Sequence, residues 1–166
     1  MFTMSPESAA AKEPGLTLGC FKVGSHTFGM DVTSIREIVR WRTVKPLPGS
    51  PPLIEGVIEL RGTLIPVVDL GRALGEAPIG ETARARIVIS QIGGLVLGLV
   101  VQRATDVVTV EASDLNRPAD TPSPNSGEVI QAVARRKGAD PIVVLSLEPL
   151  LQLVRDSEPS TREASA

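Results

Sequence analysis

The chain has 166 residues, 42% of them apolar, with 17 basic and 19 acidic side chains. That is enough apolar content for one domain or two small lobes, and it excludes wholesale disorder. One Cys (Cys20) and one His (His26) exclude a disulfide framework and leave no usual zinc ligand set. Charge is balanced between Leu16 and Val154, and Phe2, Phe21, Phe28 and Trp41 are the only aromatics. A phosphate backbone or a run of bases therefore finds no footprint here.

No apolar run approaches the roughly 20 residues of a membrane-spanning helix. Residues 1–15 carry Glu7, Lys12 and Glu13 and lack the apolar stretch of a secretion leader. The expectation is a cytoplasmic protein with no nucleic-acid partner and no direct membrane insertion.

Residues 1–15 are small, polar and punctuated by proline, which predicts a flexible arm, and residues 155–166 predict a similar C-terminal tail. Between them the punctuation is that of a β protein. Leu16–Val23 and 27–30 flank Gly24-Ser25-His26 as a hairpin. Asp31 is placed to cap a short helical turn through Val32, Ser34 and Ile35. Residues 37–41 are extended again. The proline-rich stretch 45–52 cannot enter a central ladder and is expected to be a stiff loop.

Segments 56–60 and 64–68 form two more strands around Arg61-Gly62-Thr63. Asp69 ends the second and is predicted to cap a short helix over 70–74. The polar segment 75–84 is where the chain is expected to divide into two lobes. Beyond it, 87–92 and Leu95–Val101 are joined by Gly93-Gly94, a pair suited to a two-residue turn. Both strands are apolar at nearly every position, which predicts burial on both faces. Strands at 106–110, 128–135 and 142–147, an exposed excursion at 117–127 and a helix over 148–154 complete the reading. Some ten short strands with few helical residues predict an all-β fold of paired small barrels.

The run Gly56-Val57-Ile58-Glu59-Leu60-Arg61-Gly62-Thr63-Leu64-Ile65-Pro66-Val67-Val68-Asp69-Leu70 resembles the CheW-like domain, the coupling module of bacterial chemosensory arrays. Phe28-Gly29-Met30-Asp31-Val32 with Ile35-Arg36-Glu37-Ile38-Val39 resembles the family's early segment. Leu47-Pro48-Gly49-Ser50-Pro51 resembles its proline loop, and Gly98-Leu99-Val100-Val101 its second-lobe hairpin. The likeness runs over residues 16–154. It implies two packed five-stranded SH3-like barrels. It also implies a non-catalytic adaptor, without cofactor or metal, that joins the cytoplasmic tip of a chemoreceptor to the regulatory domain of a CheA-type histidine kinase. The short flanks resemble the stand-alone adaptor form rather than relatives carrying a receiver or kinase domain. Two departures stand out: Glu59 where the family usually has Asn, and Gln102-Arg103 where it usually has Asp. They leave open a divergent adaptor that binds receptors but not the kinase, or one serving a motility or surface-signalling pathway.

Six residues are the candidate partner contacts. Arg61 follows an apolar strand and precedes Gly62, so a tight turn can present its planar fork of donors to a partner carboxylate. The competing reading is an internal ion pair with Glu37 or Glu59, which would also pre-organise Arg61. Val32, Ile35 and Glu37 match positions that the resemblance assigns to a receptor-binding groove between the lobes, where an amphipathic helix could lie. Core packing is the alternative for Val32. Gly62 and Gly98 read as backbone positions serving a turn or a close approach. Trp41 reads as buried beneath the proline loop.

Catalysis finds no support. Val68-Asp69-Leu70-Gly71 lacks the second carboxylate that an aspartic protease pair requires, and no phosphate-cradling glycine motif occurs. Ser and Cys nucleophiles would have to share His26, which lies in a predicted turn.

Overall fold

The computed structural model describes residues 15–92, 94–116 and 129–156. The expected arm and tail, and the excursion at 117–127, lie almost entirely outside these residues. Eleven strands are found among the described residues. They are β1 (Leu16–Val23), β2 (His26–Asp31), β3 (Ile35–Arg40), β4 (Ile54–Leu60), β5 (Thr63–Asp69), β6 (Arg86–Ile92), β7 (Leu95–Val101), β8 (Arg103–Val110), β9 (Leu115–Asn116), β10 (Ile130–Ala134) and β11 (Ile142–Leu145). A four-residue helix, α1 (Leu70–Ala73), follows β5, and a longer one, α2 (Leu147–Asp156), follows β11.

The strands form two sheets, ordered β8-β1-β2-β11-β10-β9 and β3-β6-β7-β5-β4. In each, the two edge strands follow one another in the chain. β8 turns into β9 through a short 3-10 segment at Ala112–Asp114. β3 leads into β4 through the proline loop, which pairs back on the sheet where Lys45 and Val57 exchange two backbone hydrogen bonds of 2.9 Å. Each sheet thus curls toward closure, the arrangement of two small barrels.

The lobes do not divide near residues 75–84, as the polar composition suggested. That segment belongs to the connection between two strands of the five-stranded sheet, β5 and β6, and β5 before it pairs in parallel with β7 after it. The six-stranded sheet joins the two ends of the described chain instead, through parallel pairing of β2 with β11.

Period-two alternation feeds three cores from the same strands. Leu18 and Cys20 face the interior of the six-stranded barrel with Val110, Ala132, Ile142 and Val144. Ile87, Ile89 and Val100 fill the five-stranded barrel with Ile58, Leu60, Ile65 and Val67. The intervening residues Phe21, Val23, Val88, Leu97, Leu99 and Val101 form the shared layer between the sheets, which Leu147 and Leu150 of α2 extend. This explains why β6 and β7 are apolar at most positions: they are inner strands of the sheet, with side chains buried on both faces.

Asp69 caps α1 as expected, its Oδ1 accepting from Arg72 N at 3.3 Å. Its Oδ2 also accepts from Ile79 N at 2.8 Å and Gly80 N at 3.2 Å, so one buried carboxylate pins the following loop to the helix. Arg72 holds the proline loop, donating to Glu55 Oε2 and, at 2.9 Å, to the Pro52 carbonyl. Trp41 is half-buried and packs against the five-stranded core.

Candidate functional site

Ile35 and Glu37 lie on one edge strand of the five-stranded sheet and Arg61 and Gly62 at the turn that leaves the other, whereas Val32 precedes β3 and Gly98 lies in the central strand. Arg61 and Gly62 are the two-residue connection between β4 and β5, with Leu60 paired to Thr63. Both have positive φ, 52° and 82°, the combination that suits the right-handed twist of a two-residue hairpin. A side chain other than glycine at positive φ is held there against an intrinsic preference. What holds Arg61 is Glu37 of β3: Nη1 donates to Oε2 at 2.5 Å and Nη2 to Oε1 at 2.9 Å. This fork-to-fork pair spans the seam between the edge strands of the sheet.

The electrostatics follow from that contact. Hydrogen bonding from Arg61 holds the Glu37 carboxyl below its ordinary range, with smaller attraction from Arg36 and Arg42. In return Glu37 pushes the Arg61 guanidinium further up. Of the two readings of Arg61, the internal ion pair is present, and its partner is Glu37 rather than Glu59. Arg61 remains 70% exposed, so its outer edge still faces solvent.

Val32 and Ile35 do not share a helix face. The helical turn is a single 3-10 segment, Val32–Ser34, capped by Asp31 through Thr33 N at 2.9 Å, and Ile35 already begins β3. A bulge then separates Ile35 from Glu37: Ile35 pairs with Ser90, whereas Glu37 pairs with Ile89. Paired residues share a face, so Ile35 points toward the other sheet while Glu37 and Val39 point toward the barrel interior. Gly98 is not a surface residue. It is buried in β7, and a Cβ there would stand 3.0 Å from Ile87 Cγ2 and 3.3 Å from Val67 Cγ2. Its lack of a side chain makes room inside the five-stranded barrel, in keeping with the close-approach reading of this glycine.

The structure adds two residues that the sequence reading passed over. Ile35 reaches across to β1, where its Cδ1 fills the place of the absent Gly19 side chain, 2.6 Å from where a Cβ would be. Gly19 is paired on β8 with Val107, whose side chain therefore leaves on the same face and is 64% exposed. Ile38, paired with Val88, shares the face of Ile35 and is 43% exposed. Val107, Ile35 and Ile38 thus present apolar side chains on the faces that the two sheets turn toward each other, and Arg36 and Arg40 beside them on β3 are exposed. One sequence signal was available, the apolar residues Val32, Ile35, Ile38 and Trp41 at every third position among Arg36, Arg40 and Arg42. The bulge made it unreadable as a strand pattern. No group of three or more metal-ligating side chains occurs among the described residues.

Residues 17–155 match the family model described as the CheW-like domain. The chemotaxis protein CheW of Rhizobium meliloti (strain 1021) is 35% identical over 109 residues, covering 66% of this chain and 70% of that protein. Protein FrzA of Myxococcus xanthus is 31% identical over 159 residues, or 92% of this chain and 96% of that one. Among solved structures, the scaffolding protein TtCheW from Thermoanaerobacter tengcongensis matches with a TM-score of 0.72 at 25% identity, over 81% of this chain and 90% of that chain.

Proposed function

The chain belongs to the CheW-like domain family and is a chemotaxis coupling scaffold, and from that premise we propose how it engages its partners. The inter-sheet groove takes an amphipathic helix from the cytoplasmic tip of a chemoreceptor. The Arg61-Gly62 hairpin offers a second, polar contact to the regulatory domain of a CheA-type kinase. The protein acts without catalysis, from the cytoplasm, by holding both at once.

One observation carries this reading: Val107 and Ile38 remain exposed on edge strands of two different sheets, and Ile35 reaches across from one sheet to Gly19 of the other. A helix laying its apolar stripe along that line would bury side chains that the fold leaves uncovered. The bordering arginines suit a helix with acidic flanks. No helix among the described residues is long and apolar enough to cross a membrane, so array attachment in this reading comes from protein contacts.

The test uses a purified chemoreceptor cytoplasmic fragment and isothermal titration. Ile38→Glu and Val107→Glu are each expected to weaken binding at least about tenfold, as loss of a central apolar anchor does. Their thermal unfolding should stay close to that of the parent. Undiminished binding in both variants would remove the groove from the receptor contact. Kinase-domain binding lost in Arg61→Glu but kept in Ile38→Glu would separate the two surfaces.

A further inference from the structure

We propose that Met1, Phe2 and Met4 of this chain dock into the Val107–Ile35–Ile38 groove and are displaced when a partner helix binds. The inference rests on the reading of that groove as the receptor site, and adds to it a competitor built into the same chain.

Val107 and Ile38 are exposed apolar side chains and Ile35 is partly so, so an occupant must bring large apolar side chains. Among the stretches outside the described residues, 117–128 and 157–166 contain no Val, Leu, Ile, Met, Phe or Trp. Residues 1–14 contain Met1, Phe2 and Met4, clustered at one end and followed by a polar, alanine-rich spacer. Methionine suits an imperfectly shaped groove, because its unbranched side chain adapts to irregular surfaces.

The point of entry is favourable. The described chain starts at Gly15, beside Val110 and Glu111 at the end of β8, and Leu16 pairs with Val110. Gly19, at the floor of the groove, lies four residues further along the same strand, about 13 Å away at strand rise. The spacer between Met4 and Gly15 spans up to about 35 Å when extended, so it reaches back with slack. Charge agrees as well: Glu7 follows the apolar cluster by three residues, and Arg36 and Arg40 border the groove. A tether of this length supplies a local concentration near the millimolar range, so even a weak contact is populated.

The experiment places a nitroxide on the full chain at Thr3→Cys. Cys20 is buried, and burial, followed by the nearby Asp106, pushes its thiol up to about 11, so the label goes to position 3. Methyl signals of Ile35, Ile38 and Val107 should broaden, and the broadening should fall in the same labelled chain carrying Phe2→Ser and Met4→Ser. Equal broadening in the two chains overturns the docking. Broadening in a mixture of labelled protein with isotope-enriched, unlabelled protein also overturns it, by making a second copy the occupant.

Adding the receptor fragment distinguishes the two layers. Relief of the broadening as the fragment binds supports competition, and the double variant should then bind the fragment about three- to tenfold more tightly. Fragment-induced shifts at the groove methyls with no broadening beforehand overturn the docking and leave the receptor reading intact. Docking that the fragment neither relieves nor shifts overturns the displacement and removes the receptor from the groove.

Discussion

Glu37 and Arg61, 24 residues apart in sequence, share two hydrogen bonds that tie the edge strand β3 to the tip of the β4–β5 hairpin. The pair does two things. It closes the seam of the five-stranded barrel above the Lys45–Val57 bridge, and it fixes a guanidinium that would otherwise swing freely. A partner reaching this hairpin meets an Arg whose inner donors are already committed, so recognition must use the exposed edge of the fork or exchange carboxylates.

The pair makes the barrel seam sensitive to acid. Because Glu37 titrates below its ordinary value near 4.5 when folded, its contribution is complete above that value and is lost as pH falls through the lower folded one. In Arg61→Gln the Glu37 titration, followed by carboxyl-carbon NMR, should move up toward the ordinary range. The stability gap between parent and variant should be constant at neutral pH and close as the solution becomes more acidic than the folded midpoint. A gap that persisted at low pH would mean that Arg61 stabilises the seam through something other than this carboxylate.

Arg61→Gly separates the backbone role from the side-chain role. Glycine at φ 52° relieves a conformational cost on the order of 1 kcal/mol that arginine bears. That relief opposes the loss of the surface ion pair. The expectation is a melting temperature within a few degrees of the parent, together with loss of kinase-domain binding. A large drop in melting temperature would assign Arg61 to holding the barrel rather than to binding.

The two glycines of the candidate set behave oppositely. Gly98→Ala presses a methyl against Ile87 and Val67 in a filled interior, with an expected cost of about 1–3 kcal/mol. Gly62→Ala meets open space and suffers only its positive φ, at about 1–2 kcal/mol. Urea titration measures both. Partner affinity of folded Gly98→Ala should match that of the parent, and a selective loss of affinity would return Gly98 to the binding surface.

Much of this was legible in the chain because it is local. Asp69 before an apolar turn marks a cap wherever it occurs. Gly93-Gly94 between two apolar runs sets a register that the Ile92–Leu95 pairing bears out. The Arg61–Glu37 contact was one of two pairings left open by charge alone. What stayed hidden is long-range. Nothing in residues 75–84 signals that β5 and β7 pair across them, and nothing near His26 announces its parallel neighbour β11. The bulge after Ile35 adds one residue to one strand and so reverses which side chains face the other sheet. That single shift separates Ile35 from Glu37 and sets Ile35 on the face that the two sheets turn toward each other.

Ser90 lies on that same inter-sheet face, 1% exposed, and its hydroxyl has no hydrogen-bond partner among the described residues. It pairs with Ile35 on one side and Leu97 on the other, so its surroundings are apolar. An unpartnered buried hydroxyl costs on the order of 1 kcal/mol or more, whereas a methyl in its place loses almost no volume. Ser90→Ala is therefore expected to raise the melting temperature by about 2–4 °C, the shift that about 1 kcal/mol produces in a domain of this size. Destabilisation by a similar amount would show that the hydroxyl is satisfied in solution, and that the layer beneath Ile35 admits a polar contact rather than sealing dry.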